Sequence, residues 1–401
     1  MSWPLVNLES VAHINPRLPK GTDESQVVTF LKMASVSEGG ELLEQEKRIL
    51  SETKKGFTYF EKDDVLLAKI TPCFENGKAA LLDDLETQLG FGSTEFHVLR
   101  AVEGKLDSKY LFHLVWNEEF RFLGKHAMKG AAGQQRISTD FLKNLKIPLP
   151  PLETQKQIAA VLEKADQLRK DCQQMEQELN NLAQSVFIDM FGDPVTNPKG
   201  WDKRPLLELV ADKDDIKCGP FGTQLGKSEF TTEGVPLWGI KHVNSGFEKP
   251  TVEYVSHEKA LDLKAYSIVG GDIVMTRKGN VGNCYIYPDN LQSGIMHSDL
   301  LRIRPCNSTV SASFLQKQFM YSKDVEGQLK LISQGAIMAG INVTKLKSLM
   351  LLSPPLEEQK EYEKFLSEVE TNKITSAHKL SESNNMFNAL MQKAFKGELN
   401  L

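Results

Sequence analysis

Apolar residues recur in steps of three and four through residues 152–192, and no Gly or Pro interrupts them before Gly192. This spacing predicts an α-helix with about four heptads of apolar seam. At 1.5 Å per residue, the helix is roughly 50 Å long, which exceeds the diameter of a small domain. A second helix is therefore the expected partner, although packing of the helix on its own domain stays open. The seam positions are Ile158, Val161, Ala165, Leu168, Cys172, Met175, Leu179, Leu182 and Val186.

A related pattern follows near the end of the chain, over residues 356–401. Its apolar positions keep the helical spacing, but three polar residues, Lys373, Ser376 and Ser383, interrupt them. The pattern predicts a second long helix. Its apolar positions are Leu366, Val369, Leu380, Phe387, Leu390 and Ala394.

The two predicted helices open with nearly the same seven residues. Six of seven are identical between Pro150–Lys156 and Pro354–Lys360, at an offset of 204. A repeat of this length is too long for a solenoid and indicates two tandem copies of one globular unit. The same offset pairs Ile137 with Ile341, Leu142 with Leu346, Lys143 with Lys347, Leu145 with Leu349, Thr94-Glu95 with Ser298-Asp299, and Arg100 with Arg304.

Each globular half mixes strand and helix patterns, so the predicted class is α+β. The expected strands are 64–70 and 95–100 in the first half, and 272–277 and 300–304 in the second. The expected helices are 110–122 and 313–321. The predicted division is a first domain over 1–151, a central helix over 152–192, a second domain over 193–355 and a C-terminal helix over 356–401.

The charge distribution keeps nucleic acid among the expected ligands. The chain has 401 residues and a formal net charge of −5, which by itself argues against a basic DNA-binding domain. The two helical segments account for this whole excess of acid, so the globular halves together are neutral and can present local basic faces. Five widely spaced cysteines and the lack of a signal sequence favour the cytoplasm.

The motifs of the common catalytic and metal sites are missing from the sequence. There is no His-Glu-x-x-His, no Cys-x-x-Cys and no Asn-Pro-Pro-Tyr or Asp-Pro-Pro-Tyr. The segment Gly222–Ser228 resembles a phosphate-binding loop, but three residues separate its glycines where four are needed. We therefore expect no catalytic residue, no metal and no cofactor on this chain.

Polar side chains suited to DNA contact cluster after the corresponding strands of both halves. Arg, Lys, Asn and Gln form bidentate contacts with purine edges or reach phosphates, and neighbouring glycines permit close backbone approach. The alternative for each residue is an ordinary solvated surface position. The candidate DNA-binding residues are Lys69, Lys78, Lys129, Gln134, Gln135 and Arg136 in the first half, and Lys227, Ser228, Lys241, His242, Asn244, Arg277, Lys278, Asn280 and Gln334 in the second.

With its halves each closed by Pro-Pro-Leu-Glu-x-Gln-Lys and a long helix, the chain resembles the specificity subunit of a type I restriction–modification enzyme. The segments Cys218–Thr223, Thr94–Arg100 and Met190–Pro194 add to this resemblance, which covers the whole chain. The first half departs from it, because it lacks the Gly-Pro-Phe-Gly loop found at Gly219–Gly222.

The resemblance implies two target-recognition domains that read a split double-stranded DNA sequence, and two spacer helices paired as an antiparallel coiled coil. It also implies two methyltransferase subunits that supply S-adenosylmethionine and adenine N6 chemistry, and two restriction (motor–nuclease) subunits. Two other readings stay open: a tandem scaffold that binds only proteins, and an enzyme with an unfamiliar site.

Overall fold

The computed structural model describes residues 3–131, 133–193, 195–279, 281–333 and 340–399. The chain forms two compact units. Unit 1 holds the residues up to Gln174 together with those from Ala377 onward, and unit 2 holds Met175–Ser376. The predicted four consecutive segments therefore do not match the compact units, because each long helix contributes one part to each unit.

Unit 1 is built from short strands and helices around the first part of a long helix. The strands are β1 Leu5–Asn7, β2 Ala12–Ile14, β3 Val27–Leu31, β4 Glu46–Ile49, β5 Thr58–Glu61, β6 Val65–Ala68, β7 Ala79–Leu81, β8 Leu89–Gly92, β9 Phe96–Ala101 and β10 Lys146–Pro148. The helices are α1 Leu50–Thr53, α2 Ser108–Trp116, α3 Glu118–Ala127, α4 Thr139–Asn144 and α5 Leu152–Phe191, of which α5 continues into unit 2.

Unit 2 has the same kind of composition. Its strands are β11 Lys203–Pro205, β12 Ile216–Cys218, β13 Phe230–Thr231, β14 Val235–Trp238, β15 Tyr254–Val255, β16 Ser267–Ile268, β17 Ile273–Thr276, β18 Cys284–Ile286, β19 Gly294–Met296, β20 Leu300–Ile303 and β21 Met350–Leu352. Its helices are α6 Ile240–Val243, α7 His257–Asp262, α8 Ala312–Tyr321, α9 Lys323–Ser333, α10 Val343–Lys347 and α11 Leu356–Lys396, of which α11 continues into unit 1.

The sheets of the two units have corresponding strand orders, except that the second sheet of unit 2 has one additional edge strand, β13. An antiparallel sheet runs β2-β9-β6-β7 in unit 1 and β12-β20-β17-β18 in unit 2. A second, mixed sheet runs β4-β3-β8-β5 in unit 1 and β13-β15-β14-β19-β16 in unit 2. Each mixed sheet contains one parallel pair, β3 with β8 or β14 with β19. The predicted α+β class and duplication are confirmed at the level of topology.

An ion pair between a partly exposed arginine and a buried carboxylate links the same two strands in each unit. Arg100 donates two hydrogen bonds, of 2.7 and 2.8 Å, to the buried carboxylate of Asp64. Arg304 makes the same pair of bonds, with the same lengths, to the buried carboxylate of Asp272. Charge-assisted bidentate bonds of this kind fix strand register as well as adding stability. The alignment of Arg100 with Arg304 thus has a structural basis.

One predicted helix is interrupted. Residues 110–122 were expected to form a single helix, but Asn117 separates α2 from α3. Its backbone is extended, and its side chain accepts a hydrogen bond from the Phe120 backbone N–H. Asn is a preferred N-cap because its side-chain oxygen satisfies an otherwise free helical N–H. The chain therefore starts a new helix at this point.

The long helices pair antiparallel within each unit. In unit 1 the Arg169 guanidinium of α5 lies 5.1 Å from the Phe387 ring centroid of α11. In unit 2 the Tyr362 hydroxyl of α11 donates a 2.9 Å hydrogen bond to the Ala183 carbonyl of α5. The start of each helix thus packs beside the end of the other. The same helices also join the apolar cores of the globular parts, so each helix contacts both the other helix and the core of a domain.

The predicted seam of α5 is partly wrong. Leu168, Met175 and Leu182 are half exposed, whereas Leu162 and Phe187 are buried. A helix that packs on a globular core as well as on a partner helix buries a wider stripe, which follows the period of 3.6 residues. On α11 the polar positions Ser376 and Ser383 are buried and so belong to the packed face.

Candidate nucleic-acid interface

In unit 1 the structure brings five of the predicted residues together from three chain segments. These segments are the end of β6, the residue Lys129 after α3, and the loop 134–136. Lys129 and Arg136 exchange two backbone hydrogen bonds, of 3.0 and 2.9 Å, and the Thr71 backbone N–H donates to the Gln135 carbonyl at 3.0 Å. Backbone pairing of this kind places side chains distant in sequence on one surface. The five are Lys69, Lys129, Gln134, Gln135 and Arg136.

Arg136 is held by an acidic neighbour that the sequence reasoning did not assign to the site. Its Nε and Nη2 atoms each donate a 2.9 Å hydrogen bond to the carboxylate of Glu95. Its Nη1 donates to the Gln134 carbonyl at 3.2 Å. The Arg136 hydrogen bond and charge lower the pKa of Glu95, although slight burial opposes this. Three of the five Arg136 N–H donors are thus engaged within unit 1, and two remain for another acceptor.

Lys78 and Lys69 differ in what their ammonium groups can reach. The Lys78 ammonium donates to the Met33 carbonyl at 3.4 Å, and the residue is half-buried. Within the described ranges, the Lys69 ammonium makes no hydrogen bond or ion pair. Lys69 is thus the better placed of the two to meet a phosphate or a base.

Arg277 occupies in unit 2 the place that Lys69 occupies in unit 1. The Lys69 backbone N–H donates to the Glu95 carbonyl at 2.9 Å, and its carbonyl accepts from Ile137 at 2.9 Å. Arg277 makes the same two bonds with Asp299, at 2.8 Å, and with Ile341, at 3.3 Å. Glu95 and Ile137 in unit 1, and their repeat partners Asp299 and Ile341 in unit 2, therefore bond to the same cationic position in each unit.

Around Arg277 an acidic residue again engages a predicted cation. Lys278 lies 2.6 Å from a carboxylate oxygen of Asp299, and the His297 ring lies 3.3 Å from the other. Partial burial opposes ionisation of Asp299, but the hydrogen bond and charge of Lys278 lower its pKa. Lys241 lines the adjacent cleft of about 250 Å³ with His297 and Asp299, and its ammonium lies 4.0 Å from Glu253.

His242 is not a surface residue, so its prediction as a DNA contact is wrong. The side chain is fully buried, and its Nδ1 accepts a 2.9 Å hydrogen bond from the Gly239 backbone N–H. Burial lowers the pKa of the ring and favours its neutral form. The physical role visible here is to close the turn that starts α6.

The other predicted residues of unit 2 lie on exposed loops or outside the described residues. Asn244 is exposed and accepts a 2.8 Å hydrogen bond from the Asn283 side chain. Lys227 and Ser228 are exposed on a short 3-10 turn. Asn280 and Gln334 lie outside the described residues.

The acidic residues of both sites, and one aromatic residue, were missed by sequence reasoning. Glu95 and Asp299 had a signal, since the repeat aligned them, but acidic residues are not expected beside phosphates. Phe221 of the Gly-Pro-Phe-Gly loop had none, because an exposed phenylalanine contacts an arginine only after folding. The Arg277 guanidinium lies 4.6 Å from the Phe221 ring centroid.

Among the residues that the structure describes, no group of His, Cys, Asp and Glu side chains is arranged to hold a metal ion. Over the same residues, no helix combines the length and the apolar character needed to cross a membrane.

The chain thus consists of duplicated α+β domains, each with a polar site at the end of the corresponding strand, β6 or β17. The chain matches the family described as type I restriction modification DNA specificity domain over residues 2–181 and 198–383. These two matches cover most of the chain, and it belongs to this family.

Individual relatives agree with the family. The chain is 36% identical over 179 residues to the EcoEI type I restriction enzyme specificity subunit of Escherichia coli, a match covering 44% of this chain and 29% of that subunit. The match thus spans less than a third of that relative. The MjaVIII specificity subunit of Methanocaldococcus jannaschii is 28% identical over 271 residues, covering 64% of this chain and 61% of that subunit.

Two solved structures share the fold. A chain from a study of assembly and conformational transition of the type I R-M system aligns with a TM-score of 0.63 and 20% identity, covering 99% of this chain and 98% of that one. The S subunit of a type I restriction–modification system from M. genitalium aligns with a TM-score of 0.57 and 15% identity, covering 98% and 96%.

Proposed function

We propose that this chain gives a type I restriction–modification complex its DNA sequence specificity, with each unit reading one part of a bipartite target. The observation that supports this most directly is the duplicated site. The same backbone bonds hold Lys69 in unit 1 and Arg277 in unit 2 at the ends of corresponding strands. Two copies of one site on one chain suit a target with two separated half-sites.

The predicted polar residues supply chemistry suited to such reading. Lys129, Gln134 and Lys227 are exposed, and amide and ammonium groups of this kind contact base edges and phosphates. The acidic residues Glu95 and Asp299 reduce the charge of each site, which disfavours tight binding to DNA of any sequence. Specific contacts then decide the affinity.

We further propose that the chain itself is not catalytic and organises the catalytic subunits. Two methyltransferase subunits would supply S-adenosylmethionine and the methyl transfer, and two restriction subunits would supply cleavage. Half-exposed apolar side chains on the part of α5 that belongs to unit 2, namely Met175 and Leu182, support docking of a partner protein there.

The test combines sequence selection with salt titration. The full chain, alone and with its methyltransferase subunit, is incubated with randomised duplexes, and bound DNA is sequenced at several salt concentrations. We expect the bound DNA to share a split motif. We also expect the logarithm of the binding constant to fall linearly with the logarithm of the salt concentration. Binding without a selected motif, or no binding of the complex at any salt, would favour the protein-only scaffold. Methyl transfer by the isolated chain would favour an enzyme.

A further inference from the structure

We propose that Phe221 and the Ile341 carbonyl hold Arg277 as a guanine-reading side chain, so that the half-site bound by unit 2 contains a G·C base pair. The inference rests on the proposed function and deepens it. It assigns a base to one residue and a positioning role to another.

The Arg277 side chain is fixed at two points. Its Nε donates a 3.1 Å hydrogen bond to the Ile341 carbonyl, and its guanidinium lies 4.6 Å from the Phe221 ring centroid. Its backbone is held as well, by Asp299 and by Ile341. An arginine loses rotamer entropy when it binds, and a side chain already ordered in the free protein loses less.

The two restraints leave the end of the guanidinium available. Among the described residues, neither Nη1 nor Nη2 of Arg277 donates a hydrogen bond, and no carboxylate lies within ion-pair distance. Asp299, which faces this region, bonds Lys278 instead. Two parallel N–H donors at the end of a planar group match the O6 and N7 acceptors of guanine in the major groove.

The loop that carries Phe221 is built to place an aromatic ring there. A Cβ on Gly219 would lie 2.1 Å from the His297 carbonyl oxygen, so only glycine allows this close packing of the loop. Gly222 has a φ of +57°, which side chains rarely adopt. Phe221 between them stays 49% exposed, with the Arg277 guanidinium near its ring. The Gly-Pro-Phe-Gly sequence therefore positions the Phe221 ring beside Arg277.

Among the described residues, unit 1 has no corresponding arginine held beside an aromatic ring. Lys69 stands in the position of Arg277, and an ammonium has no planar fork for bidentate contact. No aromatic ring is recorded over Lys69 among the described residues. The two units should therefore differ in the base that they require at this position.

The experiment selects randomised duplexes with the full chain and its methyltransferase subunit, comparing the native protein with Phe221→Ala, Phe221→Tyr and Arg277→Lys. We expect Phe221→Ala and Arg277→Lys to lower the preference for one guanine by about 10-fold, with other positions of both half-sites retained. Phe221→Tyr should restore the preference, because its ring can lie in the same place. Phe122→Ala removes an exposed phenylalanine from unit 1 and serves as the matched control.

The outcomes separate this inference from the proposed function. If the native complex selects a split motif but Phe221→Ala and Arg277→Lys leave every position unchanged, or alter a base other than guanine, the inference is wrong and the proposed function stands. If the native complex selects no motif, the proposed function itself fails. Retained selection of the unit 1 half-site by each variant shows that the protein is folded.

Discussion

Gln155 accepts a 2.9 Å hydrogen bond through its side-chain oxygen from the backbone N–H of Asp107, the residue that caps helix α2. Its amide nitrogen donates to the carbonyls of Pro150 and Lys105, at 2.9 and 3.0 Å. One buried amide thus joins the first turn of α5 to the start of α2. This explains why a glutamine recurs in the Pro-Pro-Leu-Glu-x-Gln-Lys repeat.

Unit 2 repeats the arrangement. Gln359 accepts a 2.9 Å hydrogen bond from the Ser311 backbone N–H and donates to the Pro354 carbonyl at 2.9 Å. Both glutamines are fully buried. The repeated letters are therefore a structural joint between each long helix and its globular domain.

Replacing Gln155 by alanine should destabilise unit 1 by about 2–5 kcal/mol, because several buried backbone groups would lose their partner. Urea unfolding that is monitored by hydrogen exchange can assign the loss of stability to unit 1. Gln167→Ala removes an exposed glutamine from the same helix and should change the free energy of unfolding by less than about 0.5 kcal/mol. Equal effects of the two substitutions would show that the joint adds no stability.

His113 on α2 should make unit 1 sensitive to acid. Its ring is buried, neither nitrogen has a hydrogen-bond partner among the described residues, and burial, aided by Lys109 and Lys170, lowers its pKa to about 3. In the unfolded chain a histidine titrates near pH 6.5, at about its ordinary pKa. Below that pH the unfolded state binds a proton that the folded state does not, so stability falls as the pH falls towards 3.

The corresponding test is His113→Leu. At pH 5 the histidine should cost unit 1 about 2 kcal/mol relative to pH 7 and above, and the leucine variant should lack this part of the decline. The measurement is the free energy of unfolding between pH 5 and 8. Parallel pH profiles of the variant and the native protein would contradict the expectation.

Glu95→Gln should strengthen binding to DNA of unrelated sequence. The substitution removes a negative charge and releases the guanidinium of Arg136. We expect a several-fold gain in non-specific affinity at low salt and a logarithmic salt slope steeper by about 0.9, the value for one added phosphate contact. Asp299→Asn should act in the same way through Lys278.

The control for this pair is Glu103→Gln, which makes the same change in net charge at an exposed position of unit 1. The substitution changes the overall electrostatic potential of the protein, but among the described residues Glu103 forms no ion pair with a cation of the site. A salt slope changed equally by Glu103→Gln and Glu95→Gln would assign the effect to net charge alone.

A fragment of residues 1–192 should form a dimer. In the full chain, Phe387 and Met391 of α11 cover the unit 1 core beside Leu162 of α5, and the fragment lacks them. In unit 2 of the full chain, residues 183–191 of α5 take the corresponding position, beside α8. In the fragment, these residues of a second copy can cover the unit 1 core. A two-fold symmetric exchange would then bury both surfaces.

Analytical ultracentrifugation of the fragment at micromolar concentration checks this expectation. Phe187→Asp should convert the dimer into a monomer, because a carboxylate cannot be buried there without a partner. A folded native fragment that stays monomeric would show that its core needs no covering helix.

The sequence alone determined the duplication, the two long helices, the α+β class and the family. Each of these leaves a local or periodic signal: a seven-residue repeat, apolar spacing in steps of three and four, or a strand pattern. The helix break at Asn117 and the exposed Leu168 were not predicted, because capping and burial depend on which surface packs against the element.

The tertiary structure decided which candidate residues are free to act. Arg136 meets Glu95 across 41 residues of chain, and Arg277 meets Ile341 across 64. His242 was a candidate by type, and only folding shows that its ring is buried. Residue type fixes what a side chain can bind, but its exposure and its competing partners come from segments that only the fold brings together.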